Sequence, residues 1–361
     1  MKKALIAMSG GVDSSLAAKV MTDKGFQCIG CMMKLYENSD IDTKVSKTCC
    51  TLDDAEDARA VAYKLGIPFY VFNFKDAFEE KVICKFTECY EKGITPNPCI
   101  DCNRYMKFDK LYERARILGC DYIVTGHYAQ IEEKDGIFYL KKAVDDTKDQ
   151  SYVLYSLTQE QLAHTMFPLG EYRKTKVREL AGENNFINAN KPDSQDICFV
   201  PDGDYAGVIE KYTGKVYKPG NFVDTSGNIL GQHKGIIHYT IGQRRGLGVP
   251  GKSSYYVLGI RPETNEVILG SNDDLFTRDV YVDDFNWISG HVPEVEFRCN
   301  AKIRYRHKEQ PARVIPTGEH SAHIIFDEPQ RAVTPGQSAV LYDGDIVIGG
   351  GTIIRRYTDH D

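Results

Sequence analysis

Residues 4–15 read Ala4-Leu5-Ile6-Ala7-Met8-Ser9-Gly10-Gly11-Val12-Asp13-Ser14-Ser15. A short apolar run, the size of a buried strand, ends in two glycines. The spacing then predicts a helix over 14–24, with Leu16, Val20 and Met21 on one face and Gly25 as its stop. Gly10 and Gly11 permit a tight turn and close approach of the backbone to a ligand. The N–H groups at the helix start point at an anion, which the helix dipole favours. Hydroxyls of Ser9, Ser14 and Ser15 add donors. The stretch is a phosphate cradle, but without the Gly-Lys-Ser/Thr ending of a Walker loop.

The alternation continues through the first half of the chain. Residues 3–8, 26–35, 67–72 and 122–124 read as strands. Between them, besides the helix over 14–24, lie three more helical patterns. One carries Ala58, Val61, Ala62 and Leu65 behind Thr51 as cap; a second carries Phe78, Val82, Ile83, Phe86 and Tyr90; the third spans 103–118. Strands separated by helices imply a doubly wound parallel sheet, whose ligands bind at the carboxyl ends of its strands, where residues 9–15 fall. Asp135-Gly136 marks a hairpin, and Thr158 with Gln161 a capping box. After about residue 200 Gly and Pro become frequent, and from Val280 onward short β runs at 296–305, 312–315, 323–326, 338–342 and 346–348 suggest a small barrel. The expected division is a catalytic domain at 1–200, a central domain at 201–278 and a C-terminal β-barrel at 279–361. Residues 37–47 are polar and weakly patterned, and read as a mobile loop.

Composition fits a globular protein: 361 residues, 42% hydrophobic and 27% charged. No apolar run approaches the roughly 18 residues needed to cross a bilayer, and Met1-Lys2-Lys3 does not open a signal peptide. Eleven cysteines without such a signal point to a reducing cytoplasm, with thiols that are reactive, metal-binding or buried. A formal charge of −6 excludes a uniformly basic coat but leaves room for local basic patches. Arg298, Lys302, Arg304, Arg306, Lys308 and Arg313 form such a cluster against the single acid Glu309, and Gln243-Arg244-Arg245 with Arg261 forms a second.

Two cysteines stand out. Cys102 lies in Thr95-Pro96-Asn97-Pro98-Cys99-Ile100-Asp101-Cys102-Asn103, a stiff turn entering a helix, where a thiol pKa is lowered. Cys198 lies in Asp193-Ser194-Gln195-Asp196-Ile197-Cys198-Phe199. Taken alone, each reads equally as a small buried hydrophobe.

The loop at 9–15 resembles the pyrophosphate-binding loop of the PP-loop ATPases, which cleave ATP to AMP and pyrophosphate. With Thr125-Gly126-His127-Tyr128, Lys148-Asp149-Gln150-Ser151-Tyr152, the runs at 95–103, 194–200 and 241–248, Arg304-Tyr305-Arg306 and Thr334-Pro335-Gly336-Gln337, nearly the whole chain resembles the tRNA-specific 2-thiouridylases of the MnmA family.

The resemblance implies an adenine nucleotide alpha-hydrolase-like PP-loop fold and an ATP-dependent sulfurtransferase acting on the wobble uridine of the tRNAs for Lys, Glu and Gln. ATP would be bound by Ala7, Met8, Ser9, Gly10, Gly11, Val12, Asp13, Ser14, Met33 and Gly126, with Asp13 helping to hold Mg²⁺. Cys198 would carry a persulfide, and Cys102 would be the second catalytic cysteine. Asn97, Pro98 and Cys99 would face the target base. His127, Lys148, Asp149, Gln150, Arg304, Tyr305 and Gln337 would meet the tRNA. A cysteine desulfurase or persulfide relay protein would supply sulfur. Family members commonly carry aspartate at the position of Cys99. Here Cys99-x-x-Cys102 is open to three readings: a resolving thiol, a weak acid replacing the aspartate, or, with Cys198, three ligands of an iron–sulfur cluster. A zinc site would recruit Cys49-Cys50. Metal-free thiol chemistry ranks ahead of these. Another PP-loop chemistry, such as lysidine formation, would not need Cys102 and Cys198, and a non-enzymatic RNA-binding role would not need an intact loop.

Overall fold

The computed structural model describes residues 1–37, 52–193, 197–200, 203–250 and 254–355. The chain opens with β1 (Lys3–Ala7), α1 (Val12–Asp23), β2 (Gln27–Lys34), α2 (Leu52–Lys64) and β3 (Phe69–Asn73). Next, α3 (Lys75–Phe78) runs through a π-helical stretch, Glu79–Cys84, into α4 (Lys85–Glu91). Likewise α5 (Pro98–Asp101) passes through a second π-helical stretch, Cys102–Lys110, into α6 (Leu111–Ile117), before β4 (Tyr122–Val124). This helix begins five residues earlier than the apolar spacing predicts. Pro98 suits a first helical position, and the Asn97 side chain accepts from the Cys99 N–H, 3.2 Å away.

The hairpin β5 (Gln130–Lys134) and β6 (Ile137–Lys141) turns on Asp135 and Gly136, both at positive φ. α7 (Gln159–Ala163) carries the predicted capping box at Thr158 and Gln161. β7 (Thr165–Met166) and α8 (Lys174–Glu183) complete the first domain. Its sheet is parallel in the order β3-β2-β1-β4-β7, with β1 central and wholly apolar between its ends. Helices cover both faces, and the carboxyl end of β1 delivers the chain to residues 8–11.

A central unit follows: α9 (Tyr205–Thr213), β8 (Gly220–Val223), β9 (Ile229–His233), β10 (Tyr256–Arg261) and β11 (Glu266–Gly270), its sheet ordered β10-β11-β8-β9. It packs on α4, where Tyr90 stacks on Tyr205 at 5.0 Å. The C-terminal strands are β12 (Phe276–Trp287), β13 (Phe297–Lys302), β14 (Gln310–Gly318), β15 (Ser321–Arg331), β16 (Ser338–Asp343) and β17 (Ile346–Ile354). The pairing of β12 with both β15 and β17 closes the barrel that the short β runs imply. The β5–β6 hairpin, from the first half of the chain, extends this sheet through Lys141 beside Ile346. Thr51, Cys49 and Cys50, all of the 37–47 loop after Glu37, and Ser194, Gln195 and Asp196 lie outside the described residues.

Candidate active site

The cradle is built as its sequence reads. Gly11 is the N-cap of α1 in extended conformation and supplies no side-chain cap, which leaves the first N–H groups of the helix to a ligand. The Ser14 hydroxyl bridges the loop, accepting from Ser9 N at 3.1 Å and donating to Gly11 O at 3.0 Å. Gly10 has φ +76°, and a Cβ there would stand 2.4 Å from the Asp54 carbonyl oxygen, so only glycine fits under α2. Asn188 fastens the loop from below, donating to Gly10 O and Ser15 Oγ at 2.9 Å each.

Two cavities open from this loop. One, of about 190 Å³, is lined by Ala7, Met8, Met33, Lys107, Gly126 and His127 together with Ser9, Asp13, Ser14 and Gln150. The other, of about 890 Å³, shares Ser9, Asp13 and Gln150 with it and runs out past Gly11 and Val12 toward the barrel. The first is compact and largely apolar at its back. The second is crossed by Lys148, Lys174, Lys191, Lys302, Arg306 and Lys308. An apolar slot joined through a helix N-terminus to a lysine-rich cleft suits a nucleotide with its base in the slot and its phosphates in the cleft.

Charges in the cleft are matched with carboxylates. Buried Lys174 donates to both oxygens of Asp13, at 2.7 and 2.8 Å, and lies 2.8 Å from Asp193. Tyr128 also donates to Asp13 Oδ1 at 2.8 Å. Burial acts against ionising Asp193, but hydrogen bonds from Lys148 and Lys174 outweigh it and pull the carboxyl down to about 2. Asp13, expected to help hold Mg²⁺, is held here by Lys174 and Tyr128. Lys174, Tyr128, Asp193 and Asn188 were missed as site residues from the sequence. Tyr128 and Asp193 stand inside recognisable runs, whereas Lys174 carries no local signal.

The expected RNA-facing residues divide into holders and lip. Asp149 accepts from Ala143 N and Ser151, and Gln150 is bonded to the Tyr128 backbone, so both shape the cleft wall. Lys148 pairs with Asp193. His127 is buried, with Nδ1 at 2.7 Å from Thr125 Oγ1 and Nε2 at 3.4 Å from Lys107 Nζ; burial, then the Lys107 charge, pushes its pKa well below 6.5. Arg304 is turned inward, donating to Ala332 O and, at 2.9 Å, to Thr334 Oγ1. Tyr305 donates to Asp149 O at 3.1 Å. Gln337 donates to Thr95 O at 2.9 Å and Pro96 O at 3.2 Å, while Thr95 N donates to Pro335 O. A turn of the barrel therefore clamps the backbone that leads to Asn97, Pro98 and Cys99. The basic cluster does not form one patch. Arg298 and Arg313 are opposed across β13 and β14 and are neutralised by Asp327 and Glu296, while Lys302, Arg306 and Lys308 face the cleft. Arg244 and Arg245 are exposed, and Arg261 approaches Glu266.

Cys99 is exposed; Cys102 and Cys198 are half-buried against the same hydrophobic cluster. One turn of α4 touches the surroundings of both thiols. Lys85 pairs with Asp101 at 2.6 Å, beside Cys102, and Phe86 meets Phe199, beside Cys198, at 5.2 Å. The Tyr36 hydroxyl, just beyond β2, donates to Cys198 O. Among the described residues no three His, Cys, Asp or Glu side chains gather as metal ligands, Cys99, Cys102 and Cys198 included. No described helix is long and apolar enough to cross a membrane.

Family models match three successive stretches: the tRNA methyl transferase HUP domain over 2–202, the tRNA methyl transferase PRC-barrel domain over 206–271 and the aminomethyltransferase beta-barrel domain over 277–353. A tRNA-specific 2-thiouridylase MnmA of Clostridioides difficile (strain 630) is 53% identical over 354 residues, 98% of each chain. Its counterpart in Acetivibrio thermocellus is 51% identical over 355 residues, 98% of this chain and 99% of that one. Among solved structures, a 4-thiouridine synthetase in complex with RNA and ATP aligns at 18% identity over 55% of this chain and 44% of that one, with a TM-score of 0.37.

Proposed function

The chain belongs to the MnmA family of tRNA-specific 2-thiouridylases, and on that premise we propose that it uses ATP to replace the 2-oxygen of a tRNA wobble uridine with sulfur. The tRNAs would be those for Lys, Glu and Gln. The observation that carries this reading is the pair of joined cavities: the slot with Met33 and Gly126 fits adenine, and the lysine-crossed cleft fits pyrophosphate. Uracil O2 attacks the α-phosphorus, and pyrophosphate leaves toward Lys174, Lys148 and Lys191. The base reaches the site unstacked, against Asn97, Pro98 and Cys99. Lys302, Arg306 and Lys308 form the lip that receives the RNA backbone.

Adenylation turns a poor leaving group into AMP. The terminal sulfur of a persulfide on Cys198 attacks C2, AMP departs, and the uridine is joined to Cys198 through a disulfide. The Cys102 thiolate then attacks the Cys198 sulfur; the C2-bound sulfur leaves with the electron pair as the thiocarbonyl, and a Cys102–Cys198 disulfide remains for a dithiol to reduce. In a second route Cys102 first reduces the persulfide and free sulfide attacks C2. A cysteine desulfurase or persulfide relay protein provides the sulfane sulfur. Cys99 contributes as a thiol beside the base.

The test is anaerobic thiolation of unmodified tRNA with ATP and a persulfide donor. Cys198→Ser is expected to abolish thiouridine while tRNA-dependent pyrophosphate release continues. Thiouridine formed at the wild-type rate by Cys198→Ser would overturn the assignment.

A further inference from the structure

Every lysine around the pyrophosphate end of the cleft that faces Asp13, Asp54 or Asp193 is already matched with a carboxylate: Lys174 with Asp13 and Asp193, Lys148 with Asp193, Lys191 with Asp54 and Asp57. Lys107 differs. It is half-buried, it is the one lysine or arginine lining the smaller slot, and among the described residues it has no carboxylate partner. Its ammonium lies 3.4 Å from His127 Nε2. With Nδ1 held by Thr125 and the ring kept neutral, Nε2 accepts one N–H of the ammonium, leaving two of its three donors for the slot.

Its position on the helix adds a second constraint. Cys102–Lys110 is π-helical, so the N–H of Lys107 belongs to the carbonyl five residues back. Lys107 therefore stands one turn beyond Cys102 on the same helix and projects into the slot that Ser9, Asp13 and Gln150 join to the phosphate cleft. Once pyrophosphate has gone, the phosphate left on the acceptor base would sit at this junction, with Lys107 on its slot side and the Lys174–Asp13 pair on its cleft side.

We propose that Lys107 is a catalytic residue whose ammonium binds the α-phosphate of ATP during attack by the base and stays with the phosphate of the adenylated uridine. The proposal rests on the adenylation reading above. A cation aimed where charge develops acts on the reaction step more than on ground-state binding. His127 is its positioning residue: a neutral imidazole that orients the ammonium without repelling it.

The test measures tRNA-dependent pyrophosphate release at saturating ATP and tRNA, ATP affinity and melting temperature for wild type, Lys107→Met, Lys107→Arg and His127→Gln. Lys107→Met is expected to slow release by about 100-fold or more, with ATP affinity within about threefold, and Lys107→Arg to recover most of the rate. Release at the wild-type rate in Lys107→Met would overturn the proposal. So would equal losses in Lys107→Met and Lys107→Arg accompanied by a lowered melting temperature, which would make Lys107 a packing residue. Wild-type protein that gives no tRNA-dependent pyrophosphate would overturn the adenylation reading, and Lys107's role with it.

Discussion

Gly126 ends the β4 segment against the first turn of α1, and replacing it tests how the nucleotide loop is held. A Cβ at Gly126 would lie 2.8 Å from Ser14 N, 2.9 Å from Asp13 C and 3.1 Å from Asp13 Cβ. Two of these are backbone atoms in the turn whose N–H groups form the cradle, so no side-chain rotation relieves the contact. Gly126 is not at positive φ, which makes the penalty purely steric. Restoring normal contact needs the α1 start to move by roughly half an ångström or more, a strain worth about 1–3 kcal/mol. For a domain of this size that is a fall in melting temperature of about 2–10 °C in Gly126→Ala. Displaced phosphate donors should also raise the dissociation constant of a non-hydrolysable ATP analogue by about tenfold or more. Gly182→Ala is the control. It lies in α8 with nothing within 4 Å of a Cβ, and should be neutral or slightly stabilising. Calorimetric titration and thermal unfolding read both effects. Unchanged affinity and stability in Gly126→Ala would refute the claim that this contact sets the loop.

Two other substitutions separate structural from RNA-contacting roles and test a charge argument. Arg304→Ala removes the donors to Ala332 O and Thr334 Oγ1 and should cost about 1–3 kcal/mol of stability, with the salt dependence of tRNA binding unchanged; a salt slope reduced by about one, at constant melting temperature, would instead make Arg304 a phosphate contact. His127 is held neutral, its folded pKa well below the ordinary 6.5. As pH falls below 6.5 the unfolded state binds a proton that the folded state refuses, so stability declines by about 1.4 kcal/mol per pH unit from this group. His127→Gln should flatten the decline between pH 6.5 and 5 by that amount; denaturant melts with identical slopes against pH in both proteins would show that His127 is not the group.

The phosphate loop was legible because strand, glycines and helix start are consecutive, so local chemistry alone determines it. The capping box at Thr158 and the turn at Asp135-Gly136 were legible for the same reason. What sequence hid depends on contacts distant along the chain. Alternation in 130–141 announces a hairpin but not which sheet it joins, and it joins the barrel. Six basic residues within 298–313 look like one surface, but strand pleating and cross-strand pairing send Arg298 and Arg313 to their own acids and Arg304 inward. Lys174 could be found only once α8 is packed against α1.

The clamp of Gln337 on Thr95 and Pro96 joins residues 242 and 241 positions apart. Protein synthesis runs in one direction, so the segment bearing Cys99 leaves the ribosome long before the carboxamide that fixes it. A Cβ on Gly336 would meet Ile94 at 2.4 Å and Thr95 O at 2.9 Å, so this junction closes only when that small-residue turn seats flush. The helix that follows Asn97 is held within the first domain by Lys85 on Asp101 and Asn103 on Val153 O, whereas the carboxamide that fixes Thr95 and Pro96 is among the last parts of the chain to be made. A chain ending before Gln337 would lack this fastening of Thr95 and Pro96.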